Sequence, residues 1–200
     1  MSGCLIVLEG IDGSGKGTQL TLLQKRLEDL GKTVYVTHEP SQGAIGQLIR
    51  EELRSNSNTD EATMALLFAA DRLQHIHTIQ AHLEAGDIVL CDRYILSSLA
   101  YNSQQLTLEW VCAINKEADQ RLHPDITLLF DLPEQEAMHR IDVRGDVKER
   151  YETQQQLYQI RDMYRMLAEV RHEDRVTLIN ANQAADSVHE DVWQAVKTLL

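Results

Sequence analysis

A glycine-rich segment near the start of the chain has the residue types and spacing of a phosphate-binding site. Gly10–Thr18 has the sequence GIDGSGKGT and fits the pattern GxxxxGK. The glycines allow consecutive backbone N–H groups to turn toward one anion. Lys16, which we expect to be exposed in the loop, adds a positive charge for the β- and γ-phosphates of a nucleotide. Gly17 stands where Ser or Thr usually follows the lysine, so we expect Thr18 to contact phosphate and Mg²⁺ to be held mainly by phosphates and water.

Asp92 and Arg93 form a second pair of residues that could take part in chemistry. They follow a β-rich run, Ile88–Cys91, and in a parallel sheet the end of that strand lies beside the loop after the first strand. The Asp92 carboxylate can bind Mg²⁺, directly or through water. The Arg93 guanidinium can donate two hydrogen bonds to one phosphate. The alternative interpretation is a structural ion pair, because such pairs are common.

The elements that must position these residues are short β-rich runs separated by helical patterns. The runs are Cys4–Leu8, Thr33–Thr37, Ile88–Cys91, Ile126–Asp131 and Val176–Ile179. Between them, apolar residues recur at helical spacing, and Gly31 and Gly86 stand where helices should end. This alternation predicts an α/β fold with a five-stranded parallel sheet and helices on both faces. Ligands of such sheets bind at the carboxyl ends of the strands.

The composition limits the classes of function. A chain of 200 residues is long enough for one domain with a substantial core. The net charge of −12 argues against broad binding to a nucleic-acid backbone. The three cysteines have neither disulfide nor metal spacing, so we expect free thiols and a cytoplasmic location. The longest apolar run, Met64–Ala70, is too short to span a membrane.

Two further patterns resemble functional motifs but favour a simpler interpretation. Asn115–Asp119 resembles the guanine-reading Asn-Lys-x-Asp element of GTPases but has one residue too many. It lies within a helical pattern, Leu108–Leu122, so we interpret it as a solvated helix face. His75 and His77 resemble a metal-binding pair, yet two positions apart on a helix they diverge by ~200°. We therefore interpret this pair as part of a solvated face as well.

Four segments taken together resemble thymidylate kinases. They are Glu9–Lys16 (EGIDGSGK), Thr37–Pro40 (THEP), Leu67–Arg72 (LFAADR) and Cys91–Tyr101 (CDRYILSSLAY). Pro124–Asp131 (PDITLLFD) is similar to the fourth strand of that family. The resemblance covers nearly the whole chain in the right order. It implies one domain, 1–200, with the three-layer sandwich of P-loop kinases, and ATP-dependent phosphorylation of dTMP to dTDP with Mg²⁺.

The resemblance also implies roles for individual residues on the ATP side. ATP is expected at Gly10, Asp12, Gly13, Ser14, Gly15, Lys16, Gly17 and Thr18. Catalytic roles are expected for Lys16, Asp12, Arg93, Glu39, Arg144 and Arg150. The last two belong to a lid at about 142–151, between a helix that ends near Ile141 and one that starts near Glu149. Arg140 and Lys148 are further lid cations, because positive charge stabilises phosphoryl transfer.

On the acceptor side the resemblance implies a complete set of dTMP contacts. Phe68 stacks on the thymine base, Arg72 bonds it, and Ser98 and Asn102 read its polar edge. Tyr101 lies near the sugar and favours deoxyribose. The acceptor phosphate is bound by Arg50 and Arg93, with Glu39 at the reaction centre.

The quaternary state and two alternatives complete the expectations. The resemblance implies a homodimer built from helices that include 61–85. Another deoxynucleotide, such as dUMP or a modified pyrimidine, remains open as the acceptor. A nucleotide-binding regulator without catalysis is the alternative outside the enzymes, but the intact Lys16, Asp92 and Arg93 argue against it.

Overall fold

Five parallel strands form the centre of the molecule. The computed structural model describes residues 3–54, 58–144 and 153–200, without the side chain of Arg144. The strands are β1 (Cys4–Glu9), β2 (Val34–His38), β3 (Ile88–Asp92), β4 (Ile126–Asp131) and β5 (Val176–Asn180). Their order in the sheet is β2-β3-β1-β4-β5. Each predicted strand is present within one residue at either end, which confirms the predicted sheet.

Helices cover both faces of the sheet. The described α-helices are α1 (Lys16–Asp29), α2 (Ala44–Arg54), α3 (Glu61–Ala85), α4 (Ile95–Asn102), α5 (Leu108–Arg121), α6 (Glu134–Arg144), α7 (Gln154–Val170) and α8 (Ala185–Val196). Helices α1 and α8 pack together on one face, while α3, α4, α5 and α7 pack against one another on the other. The helix ends beside Gly31 and Gly86 are where the sequence predicts them.

The two helices around the predicted lid have different limits from those expected. Helix α6 continues to Arg144 rather than stopping near Ile141. Helix α7 begins at Gln154 rather than near Glu149, because the side chain of Thr153 caps it by accepting a hydrogen bond from Gln156 N. Residues 145–151 of the lid lie outside the described residues.

The sheet brings three strand ends together. The central strand β1 lies between β3 and β4, and Leu8 pairs in register with Asp92. His38 of β2 also pairs with Asp92, and Glu39 N donates to the carbonyl of Asp92 at 3.0 Å. Strand β1 is buried on both faces, as parallel strands usually are. The loops after β1, β2 and β3 therefore converge at one edge of the sheet.

Two features of composition are visible in the fold. All three cysteines lie in the described part of the chain, and each is a free thiol, as predicted. Among the helices described here, none is both long enough and apolar enough to cross a membrane.

Candidate active site

The predicted phosphate-binding loop joins β1 to α1 and has no room for a side chain at two of its glycines. Gly10 and Gly13 have φ angles of +141° and +78°, a conformation that favours glycine. A Cβ atom at Gly10 would lie 2.7 Å from the carbonyl oxygen of Phe130, and one at Gly13 would lie 2.6 Å from that of Ala137. The Oγ atom of Ser14 is buried without a hydrogen-bond partner among the described residues. The loop thus presents a free hydroxyl and the uncapped N-terminus of α1 to a ligand.

Lys16 is buried beneath this loop, with 6% of its surface exposed. Its Nζ atom donates to the carbonyl oxygens of Gly10 at 2.9 Å and Ile11 at 3.1 Å. Burial lowers the pKa of Lys16, and the positive charge of Arg93 lowers it further. Nearby carboxylates, of which Asp92 has the largest effect, oppose this lowering. The expectation of an exposed lysine is wrong, because the side chain folds back and bonds two carbonyls of the loop that precedes it.

Asp92 has the properties expected of a metal-binding carboxylate. One of its oxygens, Oδ1, is buried and has no hydrogen-bond partner in residues 3–54, 58–144 and 153–200. A Cβ atom at Gly17 would meet no atom within 4 Å, so the position after the lysine is open rather than filled. An unpartnered carboxylate oxygen at the strand end beside the phosphate loop suits Mg²⁺ or one of its waters. The residues present therefore fit the ion.

Arg93 is held in an unusual conformation by its neighbours. Its φ angle is +71°, which is uncommon for a residue other than glycine. Its guanidinium donates to Asp12 Oδ1 at 2.5 Å, to Tyr101 Oη at 3.1 Å and to Ser97 Oγ at 3.2 Å. Burial would lower the pKa of Arg93, but Asp12, Tyr101, Tyr164 and Asp92 together raise that pKa well above its usual value. Burial would raise the pKa of Asp12, but Arg93 and Lys16 lower it. Both groups are therefore charged at neutral pH.

Glu9, at the end of β1, anchors the helix that follows Arg93. Its fully buried carboxylate accepts hydrogen bonds from Tyr94 N at 2.8 Å and Ser97 N at 3.0 Å. It also accepts from Ser97 Oγ at 2.6 Å and Tyr164 Oη at 2.9 Å. Burial raises the pKa of Glu9 above its ordinary value. One carboxylate therefore ties the start of α4 to β1 and α7.

Glu39 is the centre of a second buried network. It accepts from Arg72 Nε at 2.8 Å and forms an ion pair with Arg72 Nη2 at 2.6 Å. His75 Nδ1 lies 3.2 Å from Glu39 Oε1, and His75 Nε2 lies 2.7 Å from Thr37 Oγ1. The interpretation of His75 as part of a solvated face is wrong, because the face of α3 that carries it packs against the end of β2. His77 is exposed, as expected.

Asn115 belongs to the same network, although it comes from α5. It is 2% exposed, and its Oδ1 accepts a hydrogen bond from Arg72 Nη1. The interpretation of Asn115–Asp119 as a solvated helix face is therefore wrong at Asn115. It lies four residues after the buried Val111 and three before the buried Ala118, which places it on the packed side of the helix. Lys116, the next residue, is exposed.

Arg50 lies behind the loop that follows β2. Its Nη1 atom donates to the carbonyl oxygens of Pro40 at 2.8 Å and Ser41 at 2.7 Å. The loop is held from the other side by Asp71 of α3, which accepts from Ser41 N and Ser41 Oγ at 2.6 Å each. Unlike the other predicted acceptor residues, Arg50 does not line the cavity described below. It is joined to that cavity through the Pro40 carbonyl.

A cavity extends from the predicted phosphate-binding loop to the space between helices α3 and α4. It has a volume of about 690 Å³ including its open mouth. Its lining residues are Asp12, Glu39, Pro40, Leu53, Phe68, Arg72, Arg93, Ser97, Ser98, Tyr101 and Asn102. Phe68 is half-buried, and the buried Oδ1 atom of Asn102 has no partner in the described part of the chain. Seven of the eight predicted acceptor residues thus line one cavity.

Of the predicted lid cations, only Arg140 has a side chain within the described residues. Arg140 donates to the carbonyl oxygen of Ala181 at 3.3 Å, and its Nη1 would lie 3.9 Å from a Cβ atom built at Gly15. It therefore lies beside the phosphate loop. The side chain of Arg144 and the whole of Arg150 and Lys148 lie outside the described residues.

Comparison with known proteins gives one family. The family model described as thymidylate kinase matches residues 8–192. The chain belongs to the thymidylate kinase family. A probable thymidylate kinase of Pyrococcus abyssi (strain GE5 / Orsay) is 42% identical, with 98% of this chain and 97% of the relative covered. A thymidylate kinase of Exiguobacterium sibiricum is 40% identical, covering 100% of this chain and 97% of the relative.

For this member of the thymidylate kinase family, the sequence analysis missed the residues that support the predicted ones. They are Glu9, Asp71, His75, Ser97, Asn115 and Tyr164. Each hydrogen-bonds a residue or segment that lines the cavity. A polar residue at a helix position whose neighbours three and four away are apolar, such as Asn115, is the signal that could have found some of them.

Proposed function

We propose that this protein transfers the γ-phosphoryl group of ATP to dTMP, yielding ADP and dTDP. The observation that carries the proposal is a single cavity that runs from Asp12 in the phosphate loop to the unpartnered amide oxygen of Asn102. One end of this cavity suits a phosphate and the other a base with a donor on its edge. Membership of the thymidylate kinase family supports the same reaction.

The acceptor phosphate would lie beside Arg93. In the structure Arg93 is paired with Asp12, so a phosphate dianion must share or replace that contact. Charge-assisted, bidentate hydrogen bonds from a guanidinium suit a phosphate well. Arg50 holds the loop that follows β2, and Glu39 lines the same cavity as Arg93.

The polar groups at the base end favour the edge of thymine or uracil. Asn102 Oδ1 accepts no hydrogen bond from the described residues, and N3 of thymine carries a hydrogen that can be donated. Arg72 can donate to a carbonyl, and Ser98 lies beside Asn102 in the lining. Cytosine presents the reverse arrangement, an acceptor at N3 and an amino group in place of the carbonyl, so its edge would leave buried groups unpaired.

Stacking and the sugar involve two aromatic side chains. Phe68 offers a face to the base, which any base could use, so stacking alone does not select thymine. The Tyr101 hydroxyl donates to Asp12 Oδ2 at 3.0 Å, which fixes the ring beside the reacting phosphates. We assign Tyr101 to the sugar, where its bulk favours deoxyribose.

The donor side would use residues 10–18, with Lys16 on the β- and γ-phosphates. Asp92 would hold Mg²⁺ or its waters, because its buried Oδ1 atom has no hydrogen-bond partner among the residues that the structure describes. The bound ion neutralises charge on the donor phosphates. An oxygen of the acceptor phosphate attacks the γ-phosphorus in line, and the bond to the β–γ bridging oxygen breaks as ADP leaves. The chain contributes position and positive charge, including one of the lid residues Arg144 and Arg150.

The test is the release of ADP with dTMP, dUMP, dCMP, dAMP and dGMP as acceptors. We expect kcat/KM to be highest for dTMP. The lead over dUMP should be modest, since one methyl group in a pocket contributes ~1–3 kcal/mol. Release of ADP with none of them would support a nucleotide-binding regulator instead. A purine nucleotide that outran dTMP would refute the base-reading roles of Arg72, Ser98 and Asn102.

We also propose a homodimer formed through α2 and α3, in the cytoplasm. The two helices pack against each other, and each exposes a large apolar side chain, Leu48 at 42% and Leu66 at 50%. A second copy of the chain would cover both. Three free thiols support a reducing location.

A further inference from the structure

The guanidinium of Arg72 is held by groups on three sides. It is 1% exposed, yet it lines the cavity. Its Nε atom donates to Glu39 at 2.8 Å, Nη2 donates to the Tyr94 carbonyl at 3.2 Å, and Nη1 donates to Asn115. Asn115 does not line the cavity. The amide of Asn115 is itself oriented, because its Nδ2 atom donates to the carbonyl of Val111 at 2.9 Å.

A count of donors shows what Arg72 has left for a ligand. A guanidinium carries five N–H groups. Glu39 accepts the one on Nε and lies 2.6 Å from Nη2 as an ion pair, and Tyr94 accepts one on Nη2. Asn115 accepts one on Nη1. Within the described residues, the second N–H on Nη1 has no acceptor and remains for the cavity, and Asn115 holds the Nη1 atom that carries it.

We propose that Asn115 is a positioning residue for acceptor choice. By accepting a hydrogen bond from Arg72, it aims the remaining N–H at the carbonyl of the pyrimidine edge. This inference rests on the proposed reaction and adds a residue from a helix outside the cavity. A donor fixed at that point pairs with the carbonyl of thymine or uracil and faces the amino group of cytosine, which is also a donor.

The charge around Arg72 favours a positioning role for Asn115. Burial would lower the pKa of Arg72, but Glu39, together with Tyr94 and Glu9, raises it above its usual value, so the guanidinium stays charged. The ion pair with Glu39 keeps the guanidinium of Arg72 charged whether or not Asn115 is present. The neutral amide of Asn115 instead holds the position of Arg72 Nη1. Loss of Asn115 should therefore change which base is accepted more than whether the protein folds or binds ATP.

The test compares Asn115→Leu, which removes the acceptor oxygen, with Asn115→Asp, which keeps it. Lys116→Ala, on the exposed side of the same helix, is the matched control. The measurements are kcat/KM for dTMP, dUMP and dCMP, KM for ATP, and the thermal midpoint. We expect the dTMP to dCMP ratio to fall about tenfold or more in Asn115→Leu, the size of a lost charge-assisted hydrogen bond. KM for ATP should be unchanged, and Asn115→Asp should keep most of the ratio.

The outcomes separate this inference from the proposed reaction. A wild-type protein that phosphorylates no pyrimidine nucleotide refutes the reaction. A wild-type preference for dTMP that survives unchanged in folded Asn115→Leu refutes the role of Asn115 alone. If that variant does not fold, Asn115→Ala, which leaves room for a water beside Arg72, replaces it in the same comparison. A fall in stability with an unchanged ratio marks Asn115 as purely structural and also overturns the proposal.

Discussion

Two arginines of the site are each paired with a carboxylate before any ligand binds. Arg93 is paired with Asp12, and Arg72 with Glu39. An unpaired charge in such a place would be costly to bury. The two pairs differ in what they leave for substrate. The Arg93 pair is partly exposed and can open toward a phosphate, whereas the Arg72 pair is closed.

Lys16→Ala should reduce phosphoryl transfer by about a hundredfold or more, the effect of removing one group that stabilises transition-state charge. Because Lys16 is buried, some loss of stability is also expected, within about 3 kcal/mol. Turnover and far-UV circular dichroism together check this prediction, with Lys25→Ala, an exposed residue of α1, as the control. A variant that kept a tenth of wild-type turnover would show that the phosphate site is wrongly assigned.

Arg50→Ala should weaken dTMP binding more than ATP binding. The expected loss for dTMP is ~1.5–3 kcal/mol, because Arg50 donates charge-assisted hydrogen bonds to the carbonyls of Pro40 and Ser41 and so holds the loop that lines the cavity. Separate titrations of the two nucleotides measure it. Arg50→Lys keeps the charge and Arg54→Ala removes an exposed arginine from the same helix. A loss confined to ATP would contradict the assignment.

Among the elements, helix α4 is positioned by a residue of strand β1. The side chain of Tyr94, the residue just before α4, does not cap the helix. Glu9 of β1 instead accepts hydrogen bonds from the N–H groups of Tyr94 and Ser97. The same carboxylate accepts from Tyr164 of α7, the helix after the lid. Since α4 carries Ser98, Tyr101 and Asn102, Glu9 sets the position of one wall of the cavity.

Glu9→Gln should change how stability depends on pH. Burial raises the pKa of Glu9 in the folded state above its ordinary value of about 4.5. Just above pH 4.5 the folded state therefore holds more protons than the unfolded state, and the free energy of unfolding falls as pH rises. The glutamine variant lacks this contribution and keeps an oxygen for both backbone N–H groups.

Urea denaturation of both proteins from pH 4.5 upward measures the effect. The stability of the wild type relative to the variant should fall with rising pH until Glu9 is ionised in the folded state. Glu84→Gln, at an exposed position of α3, should show no such trend. Parallel curves for wild type and Glu9→Gln would contradict the raised pKa.

For the whole molecule, the exposed apolar side chains of α2 and α3 predict the state of assembly. Leu66→Lys should convert a dimer to a monomer, because it places a charge within the proposed interface. Leu30→Lys changes the leucine that directly follows α1, whose surface is 57% exposed. This variant should leave the dimer intact. Light scattering after size-exclusion chromatography distinguishes these states. A monomeric wild type would refute the proposed dimer.

The framework of the site could be predicted from the sequence alone, because the signals for it are local. Five β-rich runs alternating with helical patterns predicted the sheet, and the glycine-rich loop after β1 predicted the phosphate site. Asp92 and Arg93 were predicted beside that loop from their place at a strand end. The resemblance to thymidylate kinases, carried by short segments, supplied the acceptor residues that line the cavity.

Only the tertiary structure decided which polar residues support that framework. Asn115 meets Arg72 across 43 positions of the chain, and Tyr164 meets Glu9 across 155. Helical periodicity shows which face of a helix a residue lies on, but not whether a buried charge from another helix packs against that face. The sequence therefore predicts solvated positions for His75 and Asn115 and an exposed one for Lys16, and all three predictions are wrong. Their burial follows from the approach of distant segments, which alone supplies the partners that make burying a polar group favourable.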